Sequence, residues 1–133
     1  MQKEVYSGRL KLDGEGHEKT LREANNYASG LLSSRSFEEG KALLRKMTPV
    51  ARRVLGENHE LTIRMRWACG QALYLYASAT LDDLREAVTT LEDTARIARR
   101  VLGGAHPLTT AIERKMRDAR AVLRTRETPP PSN

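Results

Sequence analysis

The side chains that could carry acid–base, nucleophilic or metal chemistry in this chain are three histidines, one cysteine and two pairs of adjacent carboxylates: His17, His59, His106, Cys69, Glu38-Glu39 and Asp82-Asp83. Each needs companions at the right distance. A zinc-type site needs three or four ligands converging on one point at roughly 2 Å, whereas the histidines stand alone, 42 and then 47 residues apart, at equivalent turns. Cys69 has neither a second thiol for a disulfide nor a CxxC partner for zinc, and it reads as a small core residue on a helix. No Ser or Cys stands with a His and an acid at interpretable spacing, and no glycine-rich phosphate loop occurs. The carboxylate pairs close the tetrapeptides Ser36-Phe37-Glu38-Glu39 and Thr80-Leu81-Asp82-Asp83, which have the form of helix-start signals. The expectation is a chain that is not an enzyme, with no catalytic residue, metal ligand or cofactor.

What positions these residues is an internal repeat. Ala51-Arg52-Arg53-Val54-Leu55-Gly56 returns letter for letter as residues 98–103, 47 positions on, and each copy is followed, after two more residues, by a histidine. A glycine that stops a helix, recurring at this interval, indicates stacked helical hairpins whose repeats bury their apolar faces against one another. Apolar periodicity predicts five helices. The first, 18–33, carries Leu21, Ala24, Tyr27, Ala28, Leu31 and Leu32 at three- and four-residue steps. The second, 37–55, is expected to begin at a capping box formed by Ser36 and Glu39. It carries Phe37, Gly40, Leu44, Met47, Ala51, Val54 and Leu55, bends at Pro49 and stops at Gly56. The third, 60–77, carries Leu61, Met65, Ala68, Cys69, Ala72, Leu73 and Tyr76. The fourth, 81–102, opens at the Thr80 cap and carries Leu84, Ala87, Val88, Leu91, Ala95, Ala98, Val101 and Leu102. The fifth, 107–126, has Pro107 at the favoured first position, with Leu108, Ala111, Ile112, Met116, Ala119, Val122 and Leu123 on one face.

The organisation that follows is a segment 1–13 resembling the worn end of a preceding repeat, repeat units at 14–56 and 57–103, a terminal capping helix within 104–127, and a proline-rich flexible tail at 128–133. A chain cut from a longer array would begin in this way. Its 133 residues, 39% apolar and 30% charged, suit one buried core. No run approaches the ~18 consecutive apolar residues of a membrane span, and no signal-peptide core opens the chain, so a soluble cytoplasmic protein without membrane contact is expected. The net charge of +6 is concentrated late: residues 95–126 hold nine Lys/Arg against Glu113 and Asp118. Such a surface is a solvated helical face, or a contact for an acidic partner or a nucleic-acid backbone.

Residues 14–126 resemble the kinesin light chain type of tetratricopeptide repeat (TPR), the ~42-residue variety of paired-helix repeat. The motifs that carry the resemblance are Gly14-Glu15-Gly16-His17-Glu18, Asn25-Asn26-Tyr27-Ala28, Phe37-Glu38-Glu39-Gly40 and Val54-Leu55-Gly56 in the first unit. The second unit keeps Gly56 and His59, Leu84-Arg85-Glu86-Ala87 and Val101-Leu102-Gly103, but has Trp67-Ala68 at the paired-asparagine places and five extra residues before its second helix. The third keeps Gly103, His106 and Pro107 and then departs, with Arg114-Lys115 at the asparagine places. The resemblance implies an all-α, right-handed α-solenoid of antiparallel helix hairpins, about two and a half repeats with a terminal helix.

It also implies that the first helix of each unit lines a concave groove. The inward positions would be Arg22, Asn25, Asn26, Ser29 and Leu32, then Arg64, Trp67, Gln71 and Tyr74, then Arg114. Amides can hydrogen-bond an extended peptide backbone, arginines can pair its carboxylates, and Trp67 or Tyr74 can pack an apolar anchor or else simply seal neighbouring helices. The function expected is a scaffold or adaptor module that binds a partner's peptide, an acidic one by charge, and no small-molecule substrate. The alternative is nucleic-acid contact through the basic last helices. Residues 77–133 contain no Phe, Trp or Tyr for base stacking, which favours the peptide.

Overall fold

The computed structural model describes residues 3, 5–7, 18–75 and 79–127, and every regular element among them is an α-helix. In chain order these are α1 (Glu18–Ser33), α2 (Phe37–Val54), α3 (Glu60–Tyr74), α4 (Leu81–Leu102) and α5 (Pro107–Glu127). Residues 3 and 5–7 are helical as well. The predicted boundaries agree within one residue for four helices, while α3 stops at Tyr74 instead of 77. His17, Tyr76 and the tail from 128 lie outside the described residues.

Local chemistry accounts for most of these ends. At α4 the Thr80 hydroxyl accepts from the Asp83 N–H at 3.0 Å, and the Asp83 carboxylate accepts from the Thr80 N–H at 3.1 Å, a complete capping box. These bonds hold the Asp83 carboxyl below the usual carboxylate range. His59 and His106 do the same work at α3 and α5, where each Nδ1 accepts a backbone N–H, from Leu61 and Leu108 respectively, at 3.1 Å. Ser36 departs from expectation: its side chain makes no capping bond. Its ψ of 60° leaves the backbone outside the extended region from which a serine reaches into the first turn. The helix α2 continues through Pro49 to Val54. Gly56 and Gly103, which end the two copies of the hexapeptide, have φ of +92° and +96°. With ψ of 154°, Gly103 occupies a region open essentially to glycine alone.

Each helix packs along the next in sequence, and α3 additionally touches α1 and α5. Polar links fix their directions. Arg100, near the end of α4, donates to Asn58 just before α3 at 2.9 Å, so these helices run antiparallel. Arg99 reaches Glu113 early in α5 at 3.0 Å, and Arg85 at the start of α4 reaches Glu127 at the end of α5 at 3.3 Å, so α4 and α5 are antiparallel too. Two further links join next-but-one helices, both across 41 residues: Glu18 with His59, and Arg45 with Glu86. One helix pair thus brings the chain back beside itself.

The core forms three clusters, and α3 contributes to each. Leu61 and Met65 pack with Leu21, Ala24, Met47 and Ala51. Cys69, Ala72 and Leu73 pack with Ala28, Leu44, Leu84 and Leu91. Ile63 packs with Ala95, Ala98, Leu108 and Ile112. Periodicity gave α3 one apolar face, whereas burial of Thr62, Ile63 and Arg66 as well makes it buried around most of its circumference. Conversely Val54, Val101 and Val122 are 45%, 39% and 37% exposed. The first two are equivalent residues in the repeated hexapeptide, in last turns where the following Leu55 and Leu102 take the place against the core. Tyr6 is buried and its ring meets that of Tyr27 at a centroid distance of 5.9 Å, so the segment before α1 contributes to the core. Among the described residues no helix is long and apolar enough to cross a membrane.

Two substitutions separate side-chain from backbone costs. Leu91 is fully buried, and Leu91→Ala is expected to lower stability by about 2–5 kcal/mol through cavity formation. A Cβ at Gly103 would meet nothing within 4 Å, so Gly103→Val is expected to cost about 1–3 kcal/mol by backbone strain alone. Urea midpoints measure both. An unchanged midpoint for Leu91→Ala would contradict the core assignment, and one for Gly103→Val would contradict the strained turn.

Candidate functional site

The links that direct the helices also space α1 and α3. The Nδ1 of His59 accepts from Leu61, which leaves Nε2 to donate to the Glu18 carboxylate at 2.9 Å. Glu18 also accepts from Arg22, and His59 first and Arg22 second hold its carboxyl below the usual range. The starts of α1 and α3 are thereby tied together, while between their later turns a cavity of about 450 Å³ opens. Its α1 side is the row Asn25, Ser29, Leu32 and Ser33, and its α3 side is Arg64, Trp67, Ala68, Gln71 and Leu75. Both rows follow the three- and four-residue step of one helix face.

Of the residues the resemblance pointed to, Asn25, Ser29, Leu32, Arg64, Trp67 and Gln71 line this one cavity. On two of these lining residues, the Asn25 Oδ1 and Trp67 Nε1 atoms are buried without a hydrogen-bond partner among the described residues. A buried polar atom without a partner costs about 1–3 kcal/mol, and these two belong to side chains on facing walls of the cavity. Arg64 bonds Glu60 at 3.2 Å on the exposed side and is half exposed. Among the described residues no carboxylate lines the cavity, and Arg64 is the one formal charge in its lining. The Trp67 ring also packs against two of the three core clusters, so this residue both seals helices and faces the cavity.

The remaining expected positions lie elsewhere. Arg22 is on the exposed side of α1, paired with Glu18, and Asn26 is exposed beside it. Arg114 is exposed on α5, away from the lining. Tyr74 is buried at 7% exposure among Ala79, Leu84 and Ala119, because the last turn of α3 faces α4 and α5, so it does not belong to the cavity. The residues missed are Ser33, Ala68 and Leu75, of which Leu75 is 53% exposed. The spacing of Ala68 from Arg64 and of Leu75 from Gln71, four residues each, held the signal.

The basic surface is partly consumed internally: Arg96, Arg99 and Arg120 pair with Asp93, Glu113 and Glu92. Among the described residues Arg114, Arg117 and Arg124 have no ion pair. Burial pushes the Cys69 thiol up to about 11, the condition of an unreactive core cysteine. Among the described residues no three His, Cys, Asp or Glu side chains converge to hold a metal. The chain matches no protein-family model, no curated protein and no solved structure.

The Tyr74 hydroxyl is buried without a partner, and burial, with Asp118 second, raises its phenol from the ordinary 10 to about 12. The folded state therefore holds the proton more tightly than the unfolded one. Its contribution to stability is full below pH 10 and is lost as the pH rises toward 12. Tyr74→Phe is expected to flatten that alkaline loss and, by removing an unpaired hydroxyl, to leave neutral-pH stability unchanged or about 1 kcal/mol higher. Melting temperature against pH for both proteins tests this. A Tyr74→Phe protein destabilised at neutral pH would place a hydrogen bond on that hydroxyl.

Proposed function

We propose that this chain is a protein-interaction module, a right-handed α-solenoid of tetratricopeptide-type hairpins that binds an extended, acidic segment of a partner protein in the cavity between α1 and α3. The observation that carries the reading is a single cavity in which amide and arginine side chains stand beside apolar walls. Asn25, Gln71 and Trp67 carry acceptors and donors of the kind a peptide backbone satisfies, and their side chains line one cavity with Leu32 and Leu75. The antiparallel α3–α4 and α4–α5 pairs and the links across 41 residues support the solenoid arrangement. An acidic partner fits a lining that, among the described residues, contains Arg64 and no carboxylate.

In this reading Asn25 and Gln71 bond the peptide backbone, Arg64 exchanges Glu60 for a partner carboxylate, and Trp67 with Leu32 and Leu75 receives one leucine or aromatic anchor. The first shared surface is small, and a flexible peptide must be ordered on it. Affinity in the micromolar range, about −8 kcal/mol, is expected.

An array of acidic decapeptides, each with one leucine or aromatic residue, provides the probe. Replacing Asn25 and Arg64 together by Ala is expected to weaken the best binder at least tenfold, about 1.4 kcal/mol, with little change in melting temperature. Raising salt is expected to weaken it further through screening. Retention of binding in the double variant, or no binder in the array, would overturn the assignment of this cavity.

A further inference from the structure

A second, differently built pocket lies on the opposite side of α3. It measures about 300 Å³ and is formed by Arg52 at the end of α2, Glu57 in the following turn, Arg66 of α3, and Asp93, Arg96 and Arg100 of α4. Arg66 is the unusual member. Only 7% exposed, its guanidinium is the one arginine among the buried polar and charged residues of the described chain. A buried guanidinium ordinarily takes a bidentate carboxylate at hydrogen-bond distance. Here the nearest carboxylate oxygens stand at 3.9 Å (Glu57) and 4.0 Å (Asp93), beyond hydrogen-bond reach.

The reason is competition. Glu57 is held by Arg52, whose Nε donates to it at 2.9 Å, and Asp93 by Arg96 at 3.1 Å. Both acids are thus engaged by exposed arginines, and Arg66 is left with its donors undirected inside the pocket. Burial first and the neighbouring Arg52 second disfavour its charge. With Arg100, the pocket holds four arginines against two carboxylates, an excess of two positive charges.

We propose that this pocket is a phosphate-binding site, taking the dianionic phosphoryl group of a phosphate monoester or of free phosphate against Arg66, with Arg52, Arg96 and Arg100 at its rim. The charge excess equals that of one such dianion, and three phosphoryl oxygens accept the planar forks that a single carboxylate cannot fully occupy. The site is independent of the cavity between α1 and α3, with which it shares no residue. Its three helices α2, α3 and α4 are those a hairpin stack must hold together, so an anion there would also neutralise repulsion across their ends.

The test is calorimetric or NMR titration of the whole chain with inorganic phosphate and with O-phospho-L-serine, against sodium chloride at matched ionic strength. Saturable binding of either phosphate compound, and not of chloride, is expected, with an accompanying rise in melting temperature. A tenfold or greater preference for phosphoserine assigns the site to an esterified phosphoryl group, and equal affinity assigns it to phosphate itself. Arg66→Lys keeps the charge but loses the fork and is expected to weaken binding at least tenfold. Arg66→Met, which removes the charge from a buried place and guards against misfolding as the cause, is expected to abolish binding while raising or preserving the melting temperature. Arg64→Met, in the other cavity, is expected to change neither. Absence of saturable binding in the unaltered chain, or full binding in Arg66→Met, would overturn the proposal.

Discussion

The helix α3 is the constraint on which the rest of the structure depends. It is fifteen residues long, ten of them buried, and it lies against α2 and α4 along its length while touching α1 and α5. All three core clusters include its side chains, and no other helix among the described residues contributes buried side chains to all three. Gly70 makes the closest approach possible. A Cβ there would stand 2.7 Å from Leu91 Cδ2 and Cγ, a separation real atoms do not tolerate, so the bare Cα of α3 is where the Leu91 side chain of α4 seats. An amphipathic helix with one partner needs a single stripe, but a helix with neighbours on most sides has no solvent face to spend on charge. Where α3 does carry arginines, they have left the pattern and face openings.

Both openings follow from that placement. On one side the Glu18–His59 link holds α1 and α3 together at their starts, and the two helices then leave room for the cavity that Arg64, Trp67 and Gln71 enter. On the other side Arg66, two positions from Arg64 and hence on a different face, points among the ends of α2 and α4. The indole of Trp67 sits at the junction, packed against core clusters through its ring and bare at its N–H. A rigid aromatic with one unpaired donor loses little entropy when a ligand completes it.

Helix limits were legible because the signals are local: proline at the start of α5, the Thr80–Asp83 box, and glycines with positive φ after α2 and α4. The capping role of the histidines was legible as a recurrent position, though not as an Nδ1 bond. Ser36 looked like Thr80 in sequence and differs in backbone torsion, which is set by how the chain enters from the turn at Arg35, itself at φ +67°. Asn25, Ser29 and Leu32 of the α1 row, and Arg64, Trp67 and Gln71 on α3, were reached through the repeat resemblance, which missed Ser33, Ala68 and Leu75. Tyr74 shares that face of the helical wheel, but at the last turn its side chain meets α4 and α5. The Arg66 pocket was not legible, since its members come from four stretches of chain and the decisive fact is which acids are already engaged. Spacing along one helix reports a face; it does not report competition between side chains on three.

Trp67 is the only tryptophan in the chain, so its indole N–H gives a single, resolved proton resonance from the centre of the proposed groove. In the proposed complex a peptide completes the hydrogen bonding of that groove. The most direct measurement is therefore the indole resonance of isotope-labelled protein during titration with the tightest acidic peptide. Peptide seated on the indole gives a downfield shift that saturates with binding, together with slowed solvent exchange of that proton and no comparable change along α5. A saturating peptide that leaves the Trp67 indole unmoved while shifting the amides around Arg114 and Arg117 would contradict it.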